Sequence, residues 1–235
     1  WLNSPEYKTH REVALKFIAM APQVVARVES IFGKKLEGEI LLSPSLMNFD
    51  GFARYDSGKH KVWFGVDHPD ADENYLKVLM AHELSHVYRD HQPGVWKFVG
   101  KPLEQISRQE YLDHMSAEEH LASEGIATLF SQVVYPEVPL HVHHYYFPEE
   151  MQWCVQNMPA INKAIVGCLK GDQNVWKFYE PGLISGESPS RTQYFWASEK
   201  IKSWLLTQSR PGQDLTQSVI EAHGLAASEF DCFKI

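Results

Sequence analysis

His82-Glu83-Leu84-Ser85-His86 lies inside a run in which Tyr75, Leu76, Val78, Leu79, Leu84, Val87 and Tyr88 recur at helical spacing. At about 100° per residue, His82 and His86 stand about 40° apart around the helix axis, so both imidazoles reach one metal ion. Glu83 lies beside them, placed to reach a water on that metal rather than the metal itself. Three protein ligands with a fourth position left to water is the catalytic pattern for tetrahedral zinc. Glu83 is then the candidate general base. The helical run begins near Asp72, and Pro93-Gly94 ends it.

Upstream of this helix the period is that of strands. Glu39 to Leu42 is short and apolar, and Phe49 to Tyr55 and His60 to Val66 flank a hairpin connection, Asp56-Ser57-Gly58-Lys59. Val62, Phe64 and Val66 alternate with Trp63 and Gly65, which predicts a sheet with at least one packed face. Earlier still, Pro5 to Phe32 is apolar at helical spacing. Pro22 is expected to start a new helix or kink the old one, and Gly33 to stop it. Downstream, Ser116 with Glu119 opens a helix as a capping box, running to Val134 with Pro136 beyond. Further helices are expected over Pro148 to Leu169, Thr192 to Leu206 and Asp214 to Ala222. The predicted fold class is α+β: a small N-terminal antiparallel or mixed sheet against the HExxH helix, then a mostly helical part. The expected organisation is one domain over residues 1–235, with subdomains 1–91 and 92–235.

Composition excludes several classes. A chain of 235 residues with 44% hydrophobic and 22% charged residues is ordinary globular material, so disorder is not expected. The net charge of −8 and the scattered Lys and Arg speak against a nucleic-acid partner. No run approaches the roughly 20 apolar residues of a membrane span. The three cysteines, Cys154, Cys168 and Cys232, form no CxxC pair, which argues against a disulfide framework and a cysteine zinc knuckle. Cys154 and Cys168 read as buried apolar residues on one helix. Beginning at Trp1, the chain reads as a fragment or a processed form, and its compartment stays open.

A third metal ligand is required. A His six residues after His86 would mark a metzincin, but that position is Gln92, and His91 is one residue off. The helix from Ser116 offers Glu118, Glu119, His120 and Glu124. Glu119 looks committed to capping or, with Glu118, to solvent. Glu124 is the better candidate, because a carboxylate among Leu121, Ala122, Ile126 and Leu129 needs a charged partner. Gly125 beside it lets another backbone come close. His120 and Thr128, one turn either side, share its face and are candidates to orient it.

Ser123-Glu124-Gly125-Ile126-Ala127 together with the HELSH helix resembles the gluzincins, metallopeptidases such as thermolysin and the zinc aminopeptidases. More closely, Asp50-Gly51-Phe52-Ala53 through Val66, HELSH, Glu124-Gly125 and, more loosely, Arg191 to Ile201 resemble an uncharacterised bacterial family of predicted zinc-dependent proteases. The resemblance implies a zincin-like fold, one Zn2+ per chain on His82, His86 and Glu124, and a peptide or protein substrate. It also points to Tyr194, with Arg191 nearby, as oxyanion stabilisers. The plainer alternative packs Tyr194 in the core and puts Arg191 at a helix start. His141, His143 and His144 form a second candidate set, although a stretch between Pro139 and Pro148 reads first as a surface loop. The strand His60 to Val66 is a candidate for the sheet edge on which zincins align a peptide. Two departures stand out: a gap from His86 to Glu124 longer than thermolysin's, so that Gln92 to Met115 loops out toward the cleft, and Thr128 where thermolysin-like enzymes carry Asp. Two other functions fit the same residues: a non-catalytic metal-binding or sensor domain, and hydrolysis of another amide or an ester.

Overall fold

The computed structural model describes residues 4–234, apart from 47, 57, 69, 70, 98, 172, 173 and 209–211. It is α+β: among the described residues there are nine α-helices and one three-stranded mixed sheet. Helix α1 (Pro5–Phe32) opens on Ser4, whose Oγ accepts from the Tyr7 N–H at 3.2 Å, and ends at Gly33 with φ 64°. No second helix starts at Pro22, which lies inside α1. A proline there cannot donate to the Ile18 carbonyl and its ring crowds it, but Ile18 is 61% exposed, so this turn lies on the solvent side of the helix where water can serve that carbonyl. The opposite face of α1 buries Val13, Phe17, Val24 and Val28.

Strands β1 (Gly38–Ser43), β2 (Gly51–Asp56) and β3 (Lys59–Gly65) lie in the order β1-β3-β2, with β1 parallel and β2 antiparallel to β3. The residues His60 to Val66 therefore supply the central strand rather than an edge. The hairpin is short enough that Asp56 pairs with Lys59, while Ser57 at its tip lies outside the described residues. His60, Val62 and Phe64 turn inward, and Phe64 stacks on Phe17 at 4.9 Å. This inner face meets α2 (Glu73–Asp90), which starts where Asp72 accepts from the Tyr75 N–H at 2.8 Å.

After α2 the chain makes turns, a short 3-10 segment (Leu103–Gln105) and α3 (Arg108–His114). Val95, Trp96 and Leu103 form a small core of their own. Helix α4 (Ala117–Val134) then runs against α2. Ser116 caps it, accepting from the Glu119 N–H at 3.1 Å, but the Glu119 side chain does not reciprocate. Instead that carboxylate is buried, paired with the equally buried Arg89 and accepting from the Ala227 N–H at 2.9 Å. Glu119 is thus neither a full capping box nor solvated surface charge: the tertiary partner outcompetes the local one.

The stretch after Pro139 is not a surface loop. It forms α5 (Leu140–His143), with His143 and His144 buried and His143 Nδ1 2.8 Å from Ser131 Oγ. The helix expected over Pro148 to Leu169 is two, α6 (Pro148–Gln156) and α7 (Met158–Lys170). Pro159 explains the break, since proline is tolerated in a first turn and expelled from an interior. Cys154 and Cys168 consequently sit on successive helices, both buried and free. Helix α8 (Thr192–Gln208) crosses α4 at Gly125, and α9 (Leu215–Ala222) is capped by Asp214. One hydrophobic core runs from Val13 to Phe233. Among the described residues no helix is long and apolar enough to cross a membrane.

Candidate metal centre

Helices α2 and α4 lie side by side and bring His82, His86 and Glu124 together, with ligand atoms all within 4.8 Å of one another. His82 Nε2 donates to Glu124 Oε2 at 3.0 Å, and His86 Nε2 lies 3.6 Å from the same oxygen. Two imidazoles and a carboxylate are a donor set suited to a first-row divalent ion. His86 Nδ1 is 2.9 Å from Ser123 Oγ, which fixes the ring and leaves Nε2 turned to the centre. The expected orienting groups do less. His120 Nδ1 is 3.8 Å from Glu124 Oε1, beyond hydrogen-bond reach, and its ring lies against Trp176 at 4.1 Å. Thr128 Oγ1 is buried with no partner.

The charges are strongly coupled. Burial pushes the Glu124 carboxyl up, but the neighbouring His86 and His82 outweigh it and hold the group well below the usual carboxylate range. For His86, burial works downward, and the Glu124 charge overcomes it to give about 9. His82 goes down because burial prevails. Glu83 is 5% exposed, and burial pushes its carboxyl up to about 8. Its Oε2 has no hydrogen-bond partner. The β2 backbone reaches it because Gly51 lacks a side chain: a Cβ there would stand 3.0 Å from Glu83 Cγ and 3.2 Å from Oε1.

These residues line a cleft of about 390 Å³ walled by β2, α2, α4, Tyr111 and Met115 near α3, and three segments at Tyr145, Trp176–Tyr179 and Arg191–Tyr194. The insertion from Gln92 to Met115 therefore reaches the cleft. Tyr194 stacks on His82 with centroids 5.8 Å apart, and its Oη is 2.9 Å from Tyr179 Oη. Arg191 has φ 58°, a conformation that costs a non-glycine residue about 1–3 kcal/mol. Its N–H donates to Phe178 O at 2.7 Å and its carbonyl accepts from Tyr146 Oη at 3.0 Å, which holds it there. The guanidinium donates to Asp50 Oδ2 at 2.6 Å and lies 5.4 Å over the Tyr145 ring. Burial would raise the Asp50 carboxyl, but the Arg191 charge holds it below the ordinary value.

Tyr194 and Arg191 both reach the cleft, beside the three candidate ligands and Glu83. His141, His143 and His144 do not line it. Tyr145 and Tyr179 were not foreseeable, since each lies on a short segment with no motif, and Asp50 stood out only through the resemblance of Asp50-Gly51-Phe52-Ala53. No protein-family model, no curated protein and no solved structure matches the chain.

Proposed function

We propose that the chain is a zinc-dependent peptidase of gluzincin type with a zincin-like catalytic fold, holding one Zn2+ on His82, His86 and Glu124. The observation that carries this is the convergence of those three ligand atoms within 4.8 Å beside Glu83, whose buried Oε2 has no other partner. When bound, zinc supplies Lewis acidity, polarising the substrate carbonyl and lowering the pKa of water toward ~7. Glu83 takes the proton of the attacking water and passes it to the leaving amine, a role typically worth ~10²–10⁴ in rate. Tyr194 Oη and the Arg191 guanidinium meet the charge that builds on the carbonyl oxygen. Tyr179 orients the Tyr194 hydroxyl, and Asp50 orients Arg191.

Strand β2 favours a peptide over other amides or esters. Among the described residues it pairs only with β3, and its residues Gly51 to Arg54 line the cleft, so its outer edge offers main-chain groups to an extended chain. A non-catalytic site would be favoured by a fourth protein ligand; among the described residues no further His, Cys, Asp or Glu joins the three.

The test is metal content of protein purified without added metal, in wild type and Glu124→Ala, followed by peptide hydrolysis with Glu83→Gln. The reading expects near one zinc per chain, a large loss in Glu124→Ala, and a Glu83→Gln protein that keeps zinc but loses at least ~10² in turnover. Full activity of Glu83→Gln on a confirmed substrate sinks the mechanism.

A further inference from the structure

The carboxylates on the cleft wall are held by neighbouring groups, whereas among the described residues one cation there has no carboxylate partner. Asp50 and Arg191 pair, and Asp90 accepts from His60 Nε2 and from Tyr111 Oη, each at 3.0 Å. Glu83 and Glu124 belong to the centre. Arg54 also lines the cleft, and among the described residues it has no carboxylate partner. Its guanidinium is steadied by the Trp63 ring, 5.8 Å from the centroid. Lysines nearby are already engaged: Lys61, its cross-strand partner, with Asp56 at 2.8 Å, and Lys59 with Glu39.

Its position along β2 sets what it would touch. The Gly51 backbone abuts Glu83. Arg54 lies three residues farther along an open-edged strand, roughly 10 Å at about 3.4 Å per residue. An extended peptide paired to that edge advances at the same rise.

We infer that Arg54 makes this cleft selective for an extended peptide carrying an acidic side chain about three residues from the bond that is cut. The inference rests on the peptidase reading for the identity of the ligand. It runs against the overall charge of −8, which by itself would favour basic peptides. A carboxylate beside Arg54 gains an ion pair, whereas a lysine there meets a like charge.

The test separates binding from cleavage. Fluorescent peptides that differ only in Glu, Gln or Lys, placed two to four residues either side of one central bond, are titrated by anisotropy into zinc-loaded Glu83→Gln. The Glu peptide should bind roughly 2- to 5-fold tighter than the Gln peptide, the range of an exposed ion pair, and the Lys peptide weaker than both. Arg54→Glu in the same background should reverse the order, and Arg54→Lys should keep it, which guards against a folding artefact. The preference should fade at about 1 M salt, where the Debye length is about 3 Å. Equal affinities, no binding at all, or an order indifferent to Arg54→Glu overturns the inference. Wild-type cleavage of the same peptides is scored apart: charge-selective binding without cleavage by wild type overturns the peptidase reading and leaves the selectivity standing.

Discussion

Replacing Gly125 by Ala tests how α4 and α8 are held together. A Cβ at residue 125 would stand 2.8 Å from Ile201 Cδ1 and 2.9 Å from both the carbonyl carbon and the Cβ of Ala197. Carbon atoms rest at about 3.5–4.0 Å, so α8 would have to retreat by more than half an ångström at its closest point. Ile201 can turn aside, but the Ala197 main chain cannot. Overpacking of this kind costs about 1–3 kcal/mol, against a helix-propensity gain of at most about 1 kcal/mol for Gly→Ala. The expected net loss is up to about 2 kcal/mol, or up to roughly 8 °C in Tm for a chain of this size. Gly167 provides the control. It lies inside α7 with nothing within 4 Å of an added Cβ, so Gly167→Ala should raise Tm by a few degrees. Thermal melts of the two variants, followed by circular dichroism, make the comparison. A Gly125→Ala protein as stable as Gly167→Ala would refute the close α4–α8 crossing.

Three further outcomes are expected. Glu119→Ala strands the buried Arg89 guanidinium and should cost about 3–5 kcal/mol in urea unfolding, well beyond what loss of a surface charge would do. Tyr194→Phe should keep zinc and lower turnover with little change in KM; unchanged kcat would remove Tyr194 from the mechanism. His144 is fully buried, and burial lowers its pKa from 6.5 to about 3, so its contribution to stability is intact above 6.5 and is lost as pH falls from 6.5 toward 3. Between pH 7 and 5.5 wild type should therefore lose about 1 kcal/mol more than His144→Leu, measured by denaturant unfolding of both proteins at each pH. A difference that does not move with pH would mean that the buried imidazole takes up its proton as readily in the folded as in the unfolded chain.

Features set by one element's own spacing could be read directly. His82 and His86 share a face because both lie on α2, Gly33 ends α1 because only the left-handed region closes it there, and Gly125 marks a crossing because a missing side chain has one packing use. What depended on distant segments could not be read. Glu119 follows Ser116 at capping distance, yet Arg89 and Ala227 claim its carboxylate. His143 and His144 lie between prolines and read as loop, but the core offers them a helix turn and, for His143, Ser131 as a partner. The strand order placed β3 between its neighbours, a choice that alternation within one strand does not encode. Asp50 and Arg191 are 141 residues apart, and neither predicts the other.

That separation has a consequence during synthesis. Everything that would grip the metal lies between His82 and Glu124, while Arg191 and Tyr194 arrive much later in the chain. At ribosomal rates of about 5–20 residues per second, the interval from residue 124 to residue 194 lasts roughly 4–14 s. A nascent chain would thus hold all three candidate ligands while Asp50 still waits for its cationic partner and Tyr194 does not yet stack on His82. On the proposed reading, such an intermediate would have its metal ligands in hand before the groups assigned to the developing oxyanion, so the part that meets the substrate would be completed last.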